Sequence, residues 1–228
     1  MFKLETHCHT SEVSGCSRLP AVPRHTAQTL RLRWRRCTDH FHHGCFDSLT
    51  GSWTQKIDCF LSYCAACEAG AQAGLHIYCG LEFRTTTSDN DYLLFGAAPE
   101  LLYSTPELHR YTIPQLRALA DREGLLLVQA HPFRTGLTRE DPALLDGVEV
   151  FNGNARHDSH NDDALRFARE NGLLFFSGSD HHETEDRGRG GMVLPREPKD
   201  EADLVRLLPS AGLLPDILLE FFPVKPEK

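Results

Sequence analysis

The chain has 228 residues, 40% of them hydrophobic and 25% charged, and its formal net charge at pH 7 is −8. This length suits one sizeable core and is short for two independent domains, and the ordinary composition excludes a disordered chain. The negative charge argues against a protein that binds duplex nucleic acid through a broad basic surface. A small anionic substrate is compatible with it where metal ions reverse the sign inside a pocket. We predict a single domain over residues 1–228.

The start of the chain predicts a cytoplasmic protein. Met1–Glu5 is not followed by the apolar run of a signal peptide, and no uninterrupted apolar stretch is long enough to cross a bilayer. We therefore expect no membrane association. The oligomeric state has no signature in the sequence.

All eight cysteines lie between Cys8 and Cys79. A disulfide scaffold would be spread through a small secreted chain, so reduced thiols are predicted. Cys64 and Cys67 have the spacing of a redox or zinc pair, but they fall on the apolar face of a predicted helix, and no second pair with zinc-ribbon spacing follows. We predict that both are free thiols in the core.

Six short apolar runs are predicted to be strands. Their near-continuous apolar character is typical of strands buried on both faces of a parallel sheet. The runs cover residues 2–4, 75–79, 92–95, 125–128, 148–151 and 173–176. A further strand, the second in the chain, is expected within residues 20–37, where the alternation of apolar and basic residues favours an edge strand with a solvated face.

Helical patterns separate several of the runs. Helices are predicted over residues 54–73, 114–123, 161–171 and 201–208, and residues 213–222 are expected to pack on the outside. Gly124 and Gly172 stand at positions typical of helix ends. Alternating strands and helices predict an α/β protein, and the number of units favours a small barrel over an open sheet.

Histidine and carboxylate side chains recur directly after the predicted strands. Because the carboxyl ends of the strands form the active site in barrels of parallel strands, these groups are expected to converge on one small volume. Clustered imidazoles and carboxylates are stable together when cations coordinate them, which predicts a metal site. The elements are His7-Cys8-His9, Thr38-Asp39-His40, Glu82, His131-Pro132, Asn152 and Asp180-His181-His182.

The spacing of His7 and His9 has a local reason, because residues i and i+2 of a strand point to the same side and can bind one ion. A single His-x-His pair is weak evidence in a chain with 13 histidines. Five or six such elements, each just after a predicted strand, are hard to attribute to chance. They favour a metal centre over scattered structural histidines.

The combination resembles the polymerase and histidinol phosphatase (PHP) family of phosphoesterases, and the matching segments follow the family's order through nearly the whole chain. The resemblance implies the family's α/β fold, a distorted (β/α)7 barrel, in a single PHP-like metal-dependent hydrolase domain. The segments are His7-x-His9, Thr38-Asp39-His40, Gly80-Leu81-Glu82, His131-Pro132-Phe133-Arg134, Gly147-Val148-Glu149-Val150-Phe151-Asn152 and Gly178-Ser179-Asp180-His181-His182.

The resemblance also implies roles for these residues. His7, His9 and Asp180 would bind one metal ion, and Glu82 would bridge it to a second. His131 would serve the second ion. A further ion would lie between His40 and His182, and Arg134 would contact the substrate phosphate.

Two departures from the family pattern bear on the number of ions. Five residues after His9, where the family usually carries an aspartate, this chain has Ser14, and Glu12 is the nearest carboxylate that would replace it as a ligand. Where many members have a histidine in the fourth strand, this chain has Asp91 or Tyr92, of which Asp91 suits a metal. The expectation is two or three divalent ions, and mixed nitrogen and oxygen ligation suits Zn, Mn or Fe.

Three further residues are candidates for substrate binding. Arg84 follows Glu82 by two positions and is expected at the same mouth, with a surface salt bridge as the alternative. Asn152 and Arg156 follow the end of a predicted strand.

Three histidines are candidates for proton transfer to the leaving group. His42 and His43 follow the Thr-Asp-His element and either face the pocket or decorate a loop. His181 lies between two predicted ligands, where it is either a proton donor or a residue that supports them; the sequence does not choose. The remaining histidines are expected to be structural or exposed: His25, His76, His109, His157 and His160.

Together these residues predict a hydrolase that cleaves a phosphomonoester, or a phosphodiester at a strand end, by a metal-bound hydroxide. The partner would be a small phosphorylated substrate, with a nucleotide or short single-stranded nucleic acid included, although no aromatic and basic groove favours the latter. One alternative is an amidohydrolase-like metal enzyme with a non-phosphate substrate, for which Arg134 would matter little. The other is a non-catalytic metal-binding module, which is expected to have lost ligands that this chain keeps.

Overall fold

The computed structural model describes residues 2–9, 34–61, 76–183, 186 and 188–213. Within them the strands form one sheet in the order β7-β6-β5-β4-β3-β2-β1-β8-β9. The strands are β1 (Phe2–Glu5), β2 (Trp34–His42), β3 (His76–Arg84), β4 (Asp91–Phe95), β5 (Leu126–Gln129), β6 (Gly147–Asn152), β7 (Leu174–Gly178), β8 (Met192–Leu194) and β9 (Gly212–Leu213).

The sheet is rich in parallel pairs. β1, β2 and β3 pair in parallel, as do β5, β6 and β7. β4 runs antiparallel to both of its neighbours, β8 is antiparallel to β1, and β9 is antiparallel to β8. The predicted α/β class is confirmed.

The predicted distorted (β/α)7 barrel is not confirmed. In the described part of the chain, the ladder between the first and seventh strands is one parallel bridge, Cys8 to His181, beyond the ends of β1 and β7. The two strands nevertheless approach each other, because the Thr6 hydroxyl donates to the Ser177 carbonyl at 2.6 Å. The antiparallel β4 also departs from a simple strand–helix repeat.

The strand that was expected at an edge lies inside the sheet. β2 pairs with β1 on one side and with β3 on the other, with nine consecutive register pairs to β3 from Trp34 to His42. The expectation was wrong because it weighed the basic residues before position 37, whereas the strand continues through the buried Thr38, Asp39 and Phe41. The rest of the predicted segment, residues 20–33, lies outside the described residues.

Helices flank the sheet as α1 (His43–Ser48), α2 (Trp53–Phe60), α3 (Pro99–Ser104), α4 (Ile113–Glu123), α5 (Asn161–Asn171) and α6 (Glu201–Leu207). The predicted ends of α4 and α5 are confirmed, because Gly124 and Gly172 adopt left-handed φ angles of 67° and 65°. α2 begins at a capping box of Ser52 and Gln55. The remainder of its predicted extent, with Cys64 and Cys67, lies outside the described residues, as do residues 214–222.

The cysteines that the structure describes include free thiols at Cys8, Cys45 and Cys59. None of the helices in the described ranges has the length and apolar composition needed to span a bilayer.

Buried side chains cover both faces of the sheet, as the near-continuous apolar runs predicted. Along β4, Tyr92 and Leu94 belong to one core cluster, and Leu93 and Phe95 belong to a second. Successive residues of a strand point to opposite faces, so the two clusters lie on opposite sides of the sheet. The face of Leu93 and Phe95 also carries Asp91, two positions earlier.

The ends of β1 and β7 approach so closely that a glycine is required at Gly178. A methyl group on Gly178 would lie 2.3 Å from the His7 Cβ atom and 2.8 Å from the His7 nitrogen. We expect Gly178→Ala to lower the free energy of unfolding by about 1–3 kcal/mol, which is typical of an overpacked core position. Urea denaturation followed by circular dichroism measures the change.

Gly212→Ala in β9 is the matched control, because a methyl group there meets no atom of the described residues within 4 Å. Its unfolding free energy should stay within about 1 kcal/mol of wild type, the range of a Gly to Ala change that causes no strain. Equal effects of the two substitutions would show that the approach of β7 to His7 is not tight.

Candidate metal centre

Eight potential ligands meet at one edge of the sheet, and strand geometry explains why. The edge holds the carboxyl ends of β1, β2, β3, β5 and β7. It also holds the start of β4, because β4 runs in the opposite direction. The side chains are His7, His9, His40, Glu82, Asp91, His131, Asp180 and His182.

Glu82 lies at the centre of this cluster. Its Oε1 atom is 3.2 Å from the Nε2 atoms of both His7 and His131. Its Oε2 atom is 3.0 Å from His40 Nδ1 and 3.4 Å from His9 Nε2. One buried carboxylate therefore contacts four imidazoles.

Asp180 forms a second centre beside the first. Its Oδ1 atom is 3.3 Å from His9 Nε2, 3.6 Å from His7 Nε2 and 3.2 Å from His182 Nδ1. Its Oδ2 atom points away from the imidazoles and accepts a hydrogen bond from Arg134 at 2.8 Å. Asp180 thus divides its two oxygens between the imidazole cluster and a guanidinium.

The spacing of these atoms fits divalent metal ions. Two ligand atoms at about 2.1 Å from a tetrahedrally coordinated ion lie about 3.4 Å apart, and the distances around Glu82 and Asp180 scatter about that value. Four sets of three donors have all their atoms within 4.8 Å of one another. The sets are His7-His9-Glu82, His7-His131-Asp180, Glu82-Asp91-His131 and His9-His40-His182.

A buried nitrogen supports the same conclusion. His7 is fully buried, and its Nε2 atom makes no hydrogen bond to any described residue. Its other nitrogen, Nδ1, donates to Glu149 Oε1 at 3.0 Å, so in the neutral ring the lone pair lies on Nε2 and is directed at the cluster. A carboxylate behind a histidine ligand is the usual arrangement in metal sites, because it fixes the tautomer and orientation of the ring.

Glu149 is a supporting residue to which the sequence analysis gave no role. Besides His7, it accepts hydrogen bonds from the His131 backbone N–H at 3.1 Å and from Asn152 Nδ2 at 2.8 Å. Glu5 is a second such residue, and it joins the His7 backbone N–H to Ser179 across the gap between β1 and β7. Glu149 lies between Val148 and Val150, and this break in the apolar pattern was the available signal for it.

The pKa values of the clustered carboxyls and imidazoles indicate a site that favours bound cations. Burial raises the pKa of the Glu82 and Asp180 carboxyls, but neighbouring imidazoles, His7 first, outweigh burial and hold both pKa values well below the usual range. Burial lowers the pKa of His7, but Glu149, Glu82 and Asp180 together raise it well above its ordinary value. Burial and the neighbouring His40 lower the pKa of His9 to about 3.

Two of the ligands have unusual backbone conformations. His131 and Asp180 have φ angles of 29° and 47°, in the left-handed region that residues other than glycine rarely adopt. Such conformations cost about 1–3 kcal/mol each and cluster at functional sites. The fold therefore contains backbone strain at the two positions that orient these side chains toward the cluster.

A cavity of about 300 Å³ opens above the cluster. Three guanidiniums stand on its wall, and each is paired with a carboxylate: Arg84 with Asp91, Arg134 with Asp180, and Arg156 with Asp186. The lining residues are His40, Glu82, Arg84, Asp91, His131, Arg134, Asn154, Arg156, His157, Asp180, His182 and Glu183.

Asn152, predicted to bind substrate, lies beneath the cavity instead of on its wall. It is buried, donates to Glu149, and accepts from Arg134 at 3.2 Å and from the Asn154 backbone N–H at 3.1 Å. Asn154, which the sequence analysis did not single out, lines the cavity and donates to the Asp180 carbonyl at 3.2 Å. Glu12, a predicted ligand, lies outside the described residues.

The three histidines predicted to transfer a proton do not line this cavity. His42 contacts Cys45 Sγ at 3.4 Å, and burial, with His40 next, lowers its pKa to about 4. His43 is exposed at the start of α1. His181 is buried with its Nδ1 atom 3.7 Å from Cys8 Sγ. Their role in proton transfer stays a prediction.

Asp186 is another residue that the sequence analysis did not identify. It is buried, accepts from Arg156 through both oxygens, and accepts from the backbone N–H groups of His182 and Glu183 at 3.0 and 2.9 Å. It therefore holds a predicted ligand and a cavity arginine in place together. Its position four residues after His182 gave no local signal.

Comparisons with known proteins identify the fold. A family profile described as PHP-associated matches residues 158–210, under a quarter of the chain. PsfC from Pseudomonas syringae PB-5123 has a similar structure, with a TM-score of 0.68 and 18% identity over 93% of this chain and 91% of that chain. No curated protein matches the sequence.

Two larger proteins contain a similar unit. One is a two-domain protein from Bacteroides vulgatus containing a predicted PHP-like metal-dependent phosphoesterase, with a TM-score of 0.64 and 15% identity over 93% of this chain and 64% of that chain. The other is a lesion-specific endonuclease from Pyrococcus furiosus, PfuEndoQ, with a TM-score of 0.59 and 14% identity over 93% of this chain and 57% of that chain. At these identities the likeness concerns the fold.

We expect Glu149→Gln to weaken metal binding by about 10–100-fold, the usual effect of losing a partner behind a ligand. A glutamine can present its amide N–H groups to His7 Nδ1, which favours the tautomer with the proton on Nε2 and blocks that ligand. Competition with a fluorescent metal chelator measures the affinity.

Glu140→Gln is the control, since Glu140 contacts Tyr92 and the Asp141 backbone and no member of the cluster. Its metal affinity should equal that of wild type. Unchanged affinity in Glu149→Gln would remove Glu149 from the support of the metal centre.

Proposed function

We propose that this chain, whose resemblance to the PHP family is confirmed by the family profile and by the fold, hydrolyses phosphate esters with divalent metal ions. The observation that carries the proposal is the arrangement of the site. Imidazoles and carboxylates surround Glu82 and Asp180 at metal-ligand spacing, beneath a cavity whose wall holds three arginines.

The ligand set has two parts in this proposal. His7, His9, Glu82, His131 and Asp180 hold the principal ions, and His40 with His182 completes a further set with His9. When bound, divalent ions supply Lewis-acid activation of water and of phosphoryl oxygens. Mixed nitrogen and oxygen donors suit Zn, Mn or Fe.

The arginines give the cavity its preference for an anion. Arg134 is held by Asn152, Ser159 and Asp180 through one terminal nitrogen, Nη2. A planar guanidinium carries five N–H donors, so Arg134 keeps further donors for a phosphate oxygen. These hydrogen bonds also fix the orientation of the Arg134 side chain, so less conformational entropy is lost when a substrate binds.

The volume of the cavity bears on the size of the substrate. About 300 Å³ is at the lower end of the range for small-molecule pockets. We therefore propose a phosphomonoester, or the terminal phosphate of a nucleotide or short single strand. The fold likeness to a lesion-specific endonuclease keeps nucleic acid within the proposed substrate class.

Glu82→Gln is expected to abolish turnover while the chain still folds. The amide supplies no charge and one good donor atom in place of a carboxylate that contacts four imidazoles. The loss of activity should therefore exceed the roughly 100-fold loss that is typical when a residue behind a metal ligand is replaced. The assay is release of phosphate from nucleotides, sugar phosphates and histidinol phosphate by the metal-loaded protein, with metal content and circular dichroism measured on the same samples.

Glu140→Gln is again the isosteric control and should retain full activity. A wild-type protein that holds metal yet cleaves no member of the panel would contradict the proposed substrate class. Near-normal activity of Glu82→Gln with full metal content would contradict the central role of Glu82.

Arg134→Ala should reduce kcat/KM for the best phosphate ester by an amount equivalent to about 2–5 kcal/mol, the typical cost of losing one partner of a charge-assisted pair. Arg134→Lys keeps the charge without the planar fork and should fall between wild type and Arg134→Ala. Steady-state kinetics, with metal content measured in parallel, separates loss of substrate binding from loss of support for Asp180.

Arg139→Ala tests the general effect of removing a nearby arginine, because Arg139 lies over the Phe133 ring and does not line the cavity. Its kcat/KM should stay within a few-fold of wild type. An equally small effect of Arg134→Ala would argue against a phosphate substrate and favour the amidohydrolase-like alternative.

A further inference from the structure

We propose that Arg84 acts as an internal cation at the metal centre: it engages both oxygens of Asp91 and so prevents a divalent ion from using Asp91 as a ligand. In this view Arg84 sets how many ions the centre holds. The inference rests on the proposed function, because it assumes that the cluster around Glu82 binds metal.

The pairing of Arg84 with Asp91 is built into the sheet. The two residues are directly opposite each other in the antiparallel ladder of β3 and β4. Arg84 Nε donates to Asp91 Oδ1 and Arg84 Nη2 donates to Asp91 Oδ2, both at 2.7 Å. This is the bidentate geometry in which a guanidinium faces the open side of a carboxylate.

Asp91 would otherwise complete a set of metal ligands. Its Oδ2 atom is 4.0 Å from His131 Nε2, and the same nitrogen is 3.2 Å from Glu82 Oε1. The three residues together meet the spacing expected of ligands to one ion. Burial, together with the nearby Glu82, raises the pKa of the Asp91 carboxyl, and the hydrogen bonds from Arg84 act in the opposite direction.

Arg84 occupies both oxygens of this carboxylate, which puts a metal ion at two disadvantages. The lone pairs of Asp91 that point into the open side of the carboxylate already accept hydrogen bonds, and an ion on either oxygen would lie beside a guanidinium of like charge. The Asp91 side chain is only 5% exposed, so water screens this repulsion weakly. An ion and Arg84 therefore compete for the same carboxylate.

Asp180 provides the contrast that makes the inference specific. Asp180 is also paired with an arginine, but Arg134 contacts only Oδ2, and Oδ1 faces three imidazoles. An arginine on one oxygen leaves the other for a metal ion, whereas an arginine across both oxygens does not. The two pairs thus predict that an ion uses Asp180 and avoids Asp91.

The alternative is that Arg84 and Asp91 form an ordinary ion pair with no effect on the ions. Exposed pairs of this kind contribute little, but here the carboxylate is buried and the arginine stands on the wall of the cavity. Metal stoichiometry separates the two readings, because only competition changes the number of ions.

The experiment loads the full chain with excess Mn²⁺, removes free metal, and counts ions per chain by plasma mass spectrometry. Arg84→Met should hold one more ion per chain than wild type. Arg156→Met is the matched control, since it also removes an arginine from the cavity wall, but its partner Asp186 belongs to none of the four ligand sets, and its ion count should equal that of wild type. Arg84→Met combined with Asp91→Asn should return to the wild-type count.

Each result decides the question. An unchanged count in Arg84→Met overturns the inference but not the proposed function, while a wild-type protein that binds neither Mn²⁺ nor, loaded in the same way, Zn²⁺ or Fe²⁺ overturns both. An equal rise in Arg156→Met would assign the effect to net charge, and a rise that survives Asp91→Asn would exclude Asp91 as the ligand; either overturns the inference. If circular dichroism shows that Arg84→Met does not fold, Arg84→Gln, which keeps one donor to Asp91, is counted in its place.

Discussion

The carboxylate of Glu82, buried among four imidazoles, is the interaction on which the rest of the site depends. A buried charge is stable only with partners, and here the partners come from the ends of separate strands. β1 supplies His7 and His9, β2 supplies His40, and the turn after β5 supplies His131. The sheet must curl until these ends meet. This curvature brings the end of β7 so close to His7 that only glycine fits at position 178.

The site is costly to the fold, and the cost is offset by a layer of buried carboxylates. His131 and Asp180 take backbone conformations that residues with side chains disfavour. Glu149 accepts hydrogen bonds from the His131 backbone and the His7 ring, and Glu5 joins the His7 backbone to Ser179. These hydrogen bonds cross between strands, so they hold the ligands in place whether or not an ion is bound.

Besides the imidazoles, arginines also compensate the negative charge of carboxylates at this site. Arg84, Arg134 and Arg156 each face a carboxylate at the cavity, and they differ in how much of it they occupy. Arg134 contacts one oxygen of Asp180 and leaves the other to the imidazoles, whereas Arg84 contacts both oxygens of Asp91, which is the basis of its proposed competition with a metal ion. The three arginines offset part of the negative charge of the carboxylates that line the cavity.

The sequence by itself determined the α/β class, the ends of α4 and α5, and the set of histidines and carboxylates at strand ends, because local periodicity, glycine stops and strand geometry are short-range properties. Tertiary structure alone decided that β2 is interior, that β4 is antiparallel, and which side chains support the ligands. Glu149 pairs with His7, 142 positions away in the chain, and Asp186 pairs with Arg156, 30 positions away. Such pairings depend on how the strands are ordered in the sheet, and no local pattern encodes that order.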